Sequence, residues 1–231
     1  MARRVEDTGP GRVALLETAA PLAAEDISFG YVPDRPVLRH VNHAFAAGSM
    51  TAITGRSGRG KSTLLYVLAG LLRPQEGVVR VAGESLYDAT ESWRCHTRAT
   101  TFSFIFQDAA LDAHRSVIDA VREPCLYAGV DVRRARERAR ALMASLGVEV
   151  DPDARPGQIS GGQAQRIGVC RSLMLSPRVI FADEPTGNLD SESAAVVLRA
   201  LASAAGEGAA ILIATHDERV LPYCTDRLDL R

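Results

Sequence analysis

The stretch that decides the fold of this chain is a glycine-rich segment that ends in a lysine and two hydroxyl residues: Gly55-Arg56-Ser57-Gly58-Arg59-Gly60-Lys61-Ser62-Thr63. It fits the pattern G-x-x-x-x-G-K-[ST] of a phosphate-binding loop, or P-loop. Glycines permit the backbone angles that turn successive N–H groups inward around an anion. We therefore expect all nine residues to contribute to binding the phosphates of a nucleotide.

Lys61 is the only lysine among the twenty-seven basic side chains, and all the others are arginines. A compact ammonium group on a flexible stem reaches between the β- and γ-phosphates inside a tight loop, whereas a planar guanidinium group does not fit there. The single lysine therefore indicates a chemical requirement at this position. Arg56 and Arg59, inside the loop, are expected to point outward, into solvent or toward a partner protomer.

The residues on either side of the P-loop predict a strand before it and a helix after it. Residues 50–54 (MTAIT) predict a short strand, and residues 62–72 carry leucines at helical spacing. The helix that begins at Lys61 directs the positive end of its dipole at the bound phosphate. The Ser62 hydroxyl is the expected ligand of a Mg²⁺ ion, as at that position of the motif.

The composition is that of an ordinary globular chain: 231 residues, 46% hydrophobic and 24% charged. The formal net charge of −1 gives no overall field for nucleic acid or an anionic membrane, so no nucleic-acid partner is expected. The four cysteines are far apart, which favours reduced thiols in the cytosol. No apolar run approaches the ~18–20 residues that span a bilayer, and the N-terminus lacks a signal-peptide pattern. We expect the protein itself not to cross a membrane.

Patterns along the chain predict a flexible extension at residues 1–20 and a single domain at residues 21–231. Short alternating runs between residues 24 and 45 predict antiparallel strands. Two nearly pure apolar runs, residues 179–182 and 210–214, predict parallel strands buried on both faces. Residues 110–146 are expected to be helical and residues 88–97 irregular, with Trp93 packing there.

Two adjacent carboxylates, Asp183 and Glu184, follow the first of these apolar runs. Ligands of open parallel sheets bind at the carboxyl ends of the strands, so Asp183 and His216, at the ends of the two apolar runs, are expected to face the nucleotide. Phosphoryl transfer needs little covalent help from a protein, so positioning of the metal and the water is most of what it supplies. We expect Asp183 to hold Mg²⁺ and Glu184 to polarise the attacking water.

A third motif identifies a family. Ile159-Ser160-Gly161-Gly162-Gln163, followed by AQRI at residues 164–167, resembles the signature motif of ATP-binding cassette (ABC) ATPases, with Ile in place of the usual leading Leu. The resemblance covers nearly the whole chain from about residue 24. It implies an α/β P-loop NTPase with a RecA-like parallel-sheet core, an antiparallel β subdomain and an inserted α-helical subdomain at approximately residues 108–165. It also implies ATP and Mg²⁺ as cofactors.

The resemblance assigns further roles. Tyr31 matches the aromatic residue that stacks on adenine, although it would also suit an edge strand, packing on a neighbouring proline. Gln107 matches the glutamine that contacts Mg²⁺ and the water, and His216 matches the switch histidine at the γ-phosphate. Asp190 lies in the motif that follows the carboxylates and crosses the dimer interface, and we count it with Ser160–Gln163 among the nucleotide-binding residues. The catalytic residues implied are Gln107, Glu184 and His216, and the metal ligands are Ser62, Gln107 and Asp183.

The signature motif also implies a dimer. Within one chain, residues 160–163 and the P-loop cannot enclose the same γ-phosphate. In this family two cassettes face head to tail, and each signature helix caps the nucleotide held by the other. The resemblance therefore implies a second copy of this chain, or a sibling cassette, as partner. ATP closes the pair and hydrolysis lets it open.

The stretch FQDAALDAHRSVIDAV at residues 106–121 resembles the lipoprotein-release and macrolide-export cassettes, with Ala120 where those carry Asn. This implies an ATPase that powers membrane permease subunits on separate chains, and a cytoplasmic location on the inner face of the membrane. The alternative is a soluble or envelope-regulating ABC ATPase that remodels a partner without transport. The transported substrate and the direction of transport are not encoded in these motifs, because substrate contacts lie on the membrane subunits.

Overall fold

The computed structural model describes residues 20–32 and 35–230. The predicted N-terminal extension, apart from Ala20, lies outside the described residues. In chain order the elements are β1 (Leu22–Phe29), β2 (Leu38–Phe45), β3 (Met50–Thr54), α1 (Lys61–Leu68), β4 (Glu76–Val81), β5 (Glu84–Ser85), α2 (Glu91–Thr100), β6 (Phe102–Ile105), α3 (Val117–Tyr127), α4 (Val132–Ser145), a 3₁₀ turn (Pro156–Gln158), α5 (Gly161–Leu173), β7 (Val179–Asp183), α6 (Ser191–Gly206), β8 (Ala210–Ala214), a second 3₁₀ turn (Glu218–Tyr223) and β9 (Asp226–Asp229).

The strands form two sheets. The four-stranded sheet has the order β2-β1-β4-β5 and is antiparallel. The five-stranded sheet has the order β6-β7-β8-β3-β9, and every pairing in it is parallel. Because parallel strands end at one edge of a sheet, β3, β7 and β8 deliver the segments that follow them to the same side of the molecule.

The parallel strands are buried on both faces, as the apolar runs predicted. In β7, Val179 and Phe181 pack toward the antiparallel sheet and α1, while Ile180 and Ala182 pack toward the helices on the other face. All five residues of β8 are buried. The alternation places one hydrophobic core on each side of the parallel sheet. The α/β architecture with an antiparallel β part and a helical part is therefore confirmed.

The helical part consists of α3, α4 and α5, which pack against one another. Buried side chains from each helix meet in the core on that side of the sheet, among them Val121, Ala139 and Ile167. The last of these helices runs to Leu173, beyond the position near residue 165 where the sequence places the end of the subdomain.

Three helical predictions differ from the structure. Residues 110–116 are not helical: α3 begins at Val117, and the Ser116 side chain caps it by accepting from the Asp119 N–H. A break separates α3 from α4, which is capped by Asp131. The helix after the P-loop ends at Leu68, not at residue 72, because Gly70 adopts a φ of 74° and the chain turns.

The prediction of an irregular segment at residues 88–97 was wrong in part. Helix α2 begins at Glu91, and the Thr90 side chain caps it by accepting from the Trp93 N–H. Its ten residues are mostly polar and only Thr97 is buried, so the segment lacks the apolar stripe that marks a helix in a sequence. Trp93 packs against the core beside the antiparallel sheet, as expected.

Two expectations from composition can be compared with the described residues. In that part of the chain, no helix combines the length and apolar character that crossing a bilayer requires. Cys95, Cys125, Cys170 and Cys224 are all unpaired, and Cys125 and Cys170 are buried. Burial raises the pKa of Cys170 to about 12, so its thiol is inert at neutral pH.

Candidate nucleotide-binding site

The P-loop connects β3 to α1 in a conformation that two of its glycines make attainable. Gly60, the residue before α1, has a φ of 85°, and a Cβ there would lie 2.6 Å from Cγ1 of Val37. Gly55 has a φ of 148°, and a Cβ there would lie 2.7 Å from the Leu230 carbonyl oxygen. Both positions therefore require glycine for conformation and for space.

Lys61 folds back across this loop. Its Nζ donates to the Gly55 carbonyl oxygen at 3.0 Å, which keeps the ammonium group at the loop where the phosphates are expected. Arg56 and Arg59 are both exposed, in agreement with the prediction that their side chains point outward.

Ser62 and Asp183 meet at the end of β7. The Ser62 Oγ donates to Oδ1 of Asp183 at 2.9 Å. Asp183 is buried, and that burial raises the pKa of its carboxyl group, while the hydrogen bond from Ser62 opposes the shift. A buried carboxylate beside a hydroxyl group is a pair of oxygen ligands suited to a hard cation.

Glu184 is held by the two residues that follow β8. The Thr215 Oγ1 donates to Oε2 of Glu184 at 2.8 Å, and the His216 Nδ1 lies 2.6 Å from Oε1. Glu184 has a φ of 46°, which is unusual for a residue with a Cβ, and its N–H donates to the Ala214 carbonyl oxygen at 2.9 Å. This backbone conformation turns the carboxylate away from the strand direction and into the site.

Several of these groups line one cleft of about 710 Å³, whereas Asp183 is buried beside Ser62 and does not line it. The cleft brings together ten of the predicted site residues: Tyr31, Ser57, Gly58, Gly60, Lys61, Ser62, Thr63, Gln107, Glu184 and His216. Tyr31 is 61% exposed, packs edge-on against Phe29 with ring centroids 5.0 Å apart, and its hydroxyl lies 3.2 Å from Oγ1 of Thr63. An exposed aromatic face at the mouth of a phosphate-binding cleft is suited to stacking on a base.

The signature residues lie outside this cleft. Ser160 caps α5 by accepting from the Gln163 N–H, and the Gln163 side chain accepts from the Ser160 N–H, so the two form a capping box. Ser160 and Gly161 are exposed. Asp190 also lies apart from the cleft, where it caps α6 and accepts from the N–H and Oγ of Ser193. These predicted nucleotide-binding residues therefore lie apart from the P-loop cleft of their own chain.

Sequence reasoning missed two residues of the site. Val37 lines the cleft and packs where a side chain on Gly60 would lie; its sequence context carried no signal for this. Tyr66 lies next to Asp183, and burial, followed by the charge of Asp183, raises the pKa of the Tyr66 hydroxyl. Its position four residues after Ser62 on the same helix, hence on the same face, was a usable signal.

A second missed group supports the segment after Glu184. The Thr186 Oγ1 donates to Oδ2 of Asp217 at 2.6 Å, and Arg219 lies 2.8 Å from the same carboxylate. Burial opposes ionisation of Asp217, but the hydrogen bonds from Arg219 and Thr186 outweigh it and lower its pKa to about 2. The ionised Asp217 thus ties the segment after β7 to the segment after β8.

Comparison with known proteins shows which family the chain resembles. The family model described as ABC transporter matches residues 38–187. The macrolide export ATP-binding/permease protein MacB of Chromobacterium violaceum is 43% identical over 195 residues, which are 84% of this chain and 30% of that protein. The pyoverdine export ATP-binding/permease protein PvdT of Pseudomonas aeruginosa is 39% identical over 199 residues, with similar coverage. The chain thus spans about 30% of the length of the curated relatives it matches.

Among solved structures, the ATP-binding cassette MJ0796 bound as a dimer to ADP and Pi in a post-hydrolysis state superposes with a TM-score of 0.84. It is 26% identical to this chain, and the superposition covers 91% of this chain and 94% of that one. A second dimeric structure of MJ0796 superposes equally well. The chain belongs to the ABC transporter family and is an ATP-binding cassette ATPase of that family.

Proposed function

We propose that this cassette closes with a second cassette around Mg-ATP and that the cycle of closure and hydrolysis drives a membrane permease. The observation that carries the proposal is the separation of the two halves of the site. The P-loop, Glu184 and His216 line one cleft, while Ser160 and Gly161 are exposed outside it. Backbone N–H groups at an exposed helix N-terminus favour an anion, so a second chain is required to bring them to the phosphate.

The described residues fit a Mg²⁺ ion. Ser62 and Asp183 present a hydroxyl and a carboxylate oxygen 2.9 Å apart, and Gln107 lines the same cleft. Hard cations prefer oxygen ligands, and within residues 20–32 and 35–230 no cluster of three or more His, Cys, Asp or Glu offers a competing metal site. When bound there, Mg²⁺ would neutralise charge on the phosphates. Ser62, Gln107 and Asp183 would hold the ion.

Glu184 is the residue we assign to the attacking water. Its carboxylate is held through both oxygens by Thr215 and His216, so its position is defined before the water arrives. The carboxylate accepts a hydrogen bond from the water and so orients it toward the γ-phosphate. We assign His216, whose side chain is 78% exposed, to contact with the γ-phosphate.

We infer a permease partner from the names of the curated relatives. MacB and PvdT are named as ATP-binding/permease proteins for export, and we propose that this chain serves an export permease in the same way, from the cytoplasmic face of the membrane. We propose that the permease subunits are separate chains. A permease segment would reach the region after Gln107, where residues 108–121 lead into α3.

We exclude two residues of this region from the proposed contact surface. Val117 is fully buried and Leu111 packs against the core, so these two residues stabilise the subdomain. An adjacent groove of about 390 Å³ between β6, α3 and α5 is lined by residues that include Phe104, Glu123 and Tyr127. Tyr127 is 75% exposed, so its ring is available for contact with another chain. We propose that the permease segment docks in this groove, beside Asp119 and Arg122.

The proposed closure around Mg-ATP is tested by measuring whether the Glu184→Gln variant forms a dimer. The amide keeps the shape of the side chain but polarises water poorly, so the variant is expected to retain ATP in the closed pair. Size-exclusion chromatography with light scattering should show a dimer with Mg-ATP and a monomer with Mg-ADP. A variant that stays monomeric at saturating Mg-ATP would contradict closure around ATP.

A further inference from the structure

Arg171, in the last turn of α5, contacts the backbone of the loop that carries Gln107. Its Nη1 donates to the Ala110 carbonyl oxygen at 2.9 Å, and its Nη2 donates to the Ala109 carbonyl oxygen at 2.7 Å. The side chain is only 13% exposed, and Glu123 on α3 faces it at 3.9 Å. One charged group thus satisfies two consecutive carbonyl oxygens in a segment that belongs to no helix or strand.

The two residues that Arg171 contacts have strained backbones. Ala109 has a φ of 56° and Ala110 a φ of 48°. Residues with a Cβ rarely adopt this left-handed region, and two in succession are rarer still. Such a conformation persists only where surrounding contacts impose it. The guanidinium group supplies two of those contacts, at the two strained peptide groups themselves.

Helix α5 also contacts the loop that carries Gln107 at other points. The Gln165 Nε2 donates to the Phe106 carbonyl oxygen at 3.2 Å. Gly168 lies against Ala109, and a Cβ on Gly168 would sit 3.5 Å from the Ala109 Cα. Gln107 therefore lies between two attachments to α5, Phe106 on one side and the Ala109–Ala110 pair on the other. The same helix begins at the signature residues.

We propose that Arg171 is a positioning residue that holds Ala109 and Ala110 in their strained conformation and so keeps Gln107 in the nucleotide cleft and joined to the signature helix. The inference rests on the proposed function, in which Gln107 serves the site of its own chain and the signature serves that of the partner. Because Arg171 connects the loop that carries Gln107 to helix α5, a movement of Gln107 also moves the signature residues at the start of that helix. Arg171 lines the neighbouring groove rather than the nucleotide cleft, so it acts through the loop.

The competing explanation is that Arg171 only stabilises the packing of α5. Glycine discriminates between the two, because it adopts positive φ without steric cost. If Arg171 acts by imposing the strained backbone, Ala110→Gly should relieve the requirement for it. If Arg171 only supports the helix, glycine at position 110 should not help. Ala110 is exposed, so the substitution removes little packing.

The experiment compares wild type with Arg171→Met, Ala110→Gly, the double variant, and Arg140→Met, which removes an arginine at an exposed position on α4 and controls for the loss of one positive charge. For each protein one measures ATPase rate against ATP concentration, affinity for ATP, and the melting temperature. A displacement of about 1 Å in a catalytic loop costs up to about a hundredfold in rate. Arg171→Met is therefore expected to lower kcat by about tenfold to a hundredfold. The affinity for ATP is expected to stay close to that of the wild type.

The double variant is expected to recover part of the lost kcat, and Arg140→Met to behave as wild type. A wild-type kcat for Arg171→Met, or a double variant as slow as Arg171→Met, overturns the inference. If Arg171→Met does not fold, Arg171→Lys replaces it, because lysine keeps the charge but reaches one carbonyl oxygen at a time; the same rescue by Ala110→Gly is then required. A wild-type chain that binds ATP but does not hydrolyse it would instead refute the proposed function.

Discussion

The imidazole Nδ1 of His216 lies 2.6 Å from Oε1 of Glu184, although the two residues follow different strands. The register explains the contact: Asp183 pairs with Ala214 across β7 and β8, so the residues just beyond each strand face one another. The Thr215 hydroxyl takes the second carboxylate oxygen. The Glu184 side chain is only 11% exposed, so its orientation depends on these two neighbours.

Glu184→Gln is expected to lower kcat by about a hundredfold or more while ATP affinity is retained, because a positioned general base contributes roughly 10²–10⁴-fold. Steady-state ATPase assays and equilibrium ATP binding measure the two effects. Glu149→Gln, at an exposed position after α4, is the control for loss of one carboxylate. An unchanged kcat in Glu184→Gln would remove Glu184 from its assigned role.

Lys61→Ala is expected to weaken ATP binding itself, because hydrogen bonds to charged groups contribute about 1.5–3 kcal/mol. That range corresponds to roughly a tenfold to a hundredfold loss of affinity. Lys61→Arg should also fail, since the guanidinium fork does not fit beside the Gly55 carbonyl oxygen that Nζ contacts. Calorimetric titration with ATP is the measurement. An arginine variant with wild-type affinity and rate would contradict the argument from the shape of lysine.

Gly162→Asp is expected to spare ATP binding by the single chain but to block hydrolysis. A Cβ on Gly162 would contact Cδ2 of Leu189 at 3.4 Å, and the added carboxylate places a negative charge at the helix start that must approach the partner's phosphate. Mixing this variant with Lys61→Ala creates dimers with one intact composite site. Recovery of ATPase activity in the mixture is the expected result, and full activity of Gly162→Asp by itself would refute action across the dimer.

Tyr127→Ser should leave the ATPase rate of the isolated cassette near wild type and weaken co-purification with the permease. The exposed ring lines the groove beside β6, so its loss removes contact area from the proposed docking surface. Leu126→Ser is the matched control, since Leu126 is 51% exposed on the same helix but does not line the groove. Equal permease binding by both variants would argue against this surface.

Phe181→Ala tests how much the hydrophobic core beside β7 contributes to the stability of the protein. Phe181 is fully buried and contacts the rings of Phe102 and Phe104. Truncation of a buried phenylalanine costs about 3–5 kcal/mol of unfolding free energy. Leu71→Ala, at a residue that is 53% exposed, should change stability by only about 0.5 kcal/mol. Denaturant titration distinguishes the two, and a small effect of Phe181→Ala would contradict the packing.

Elements with a strong local pattern were predictable. The strand at residues 50–54 and the strands at residues 179–183 and 210–214 appear where the apolar runs placed them. Elements without such a pattern were not: α2 is polar, and β9 carries charged residues. The left-handed backbone at Ala109 and Ala110 was equally unpredictable, because alanine itself favours helix and the contacts with Arg171 and Gly168 come from a distant helix.

The sequence by itself determined the chemistry of this protein: a phosphate loop with its one lysine, a carboxylate pair after a buried strand, and a signature at a helix start. Each is a local pattern, since residues adjacent in the chain supply its charges and its conformational preferences. Tertiary structure alone decided which of these groups share a cleft. The fold places β8 between β7 and β3, so that His216 contacts Glu184. Ser160 lies outside the cleft that contains these two residues. Such contacts join residues far apart in the chain, and their stability comes from burying both faces of the parallel sheet.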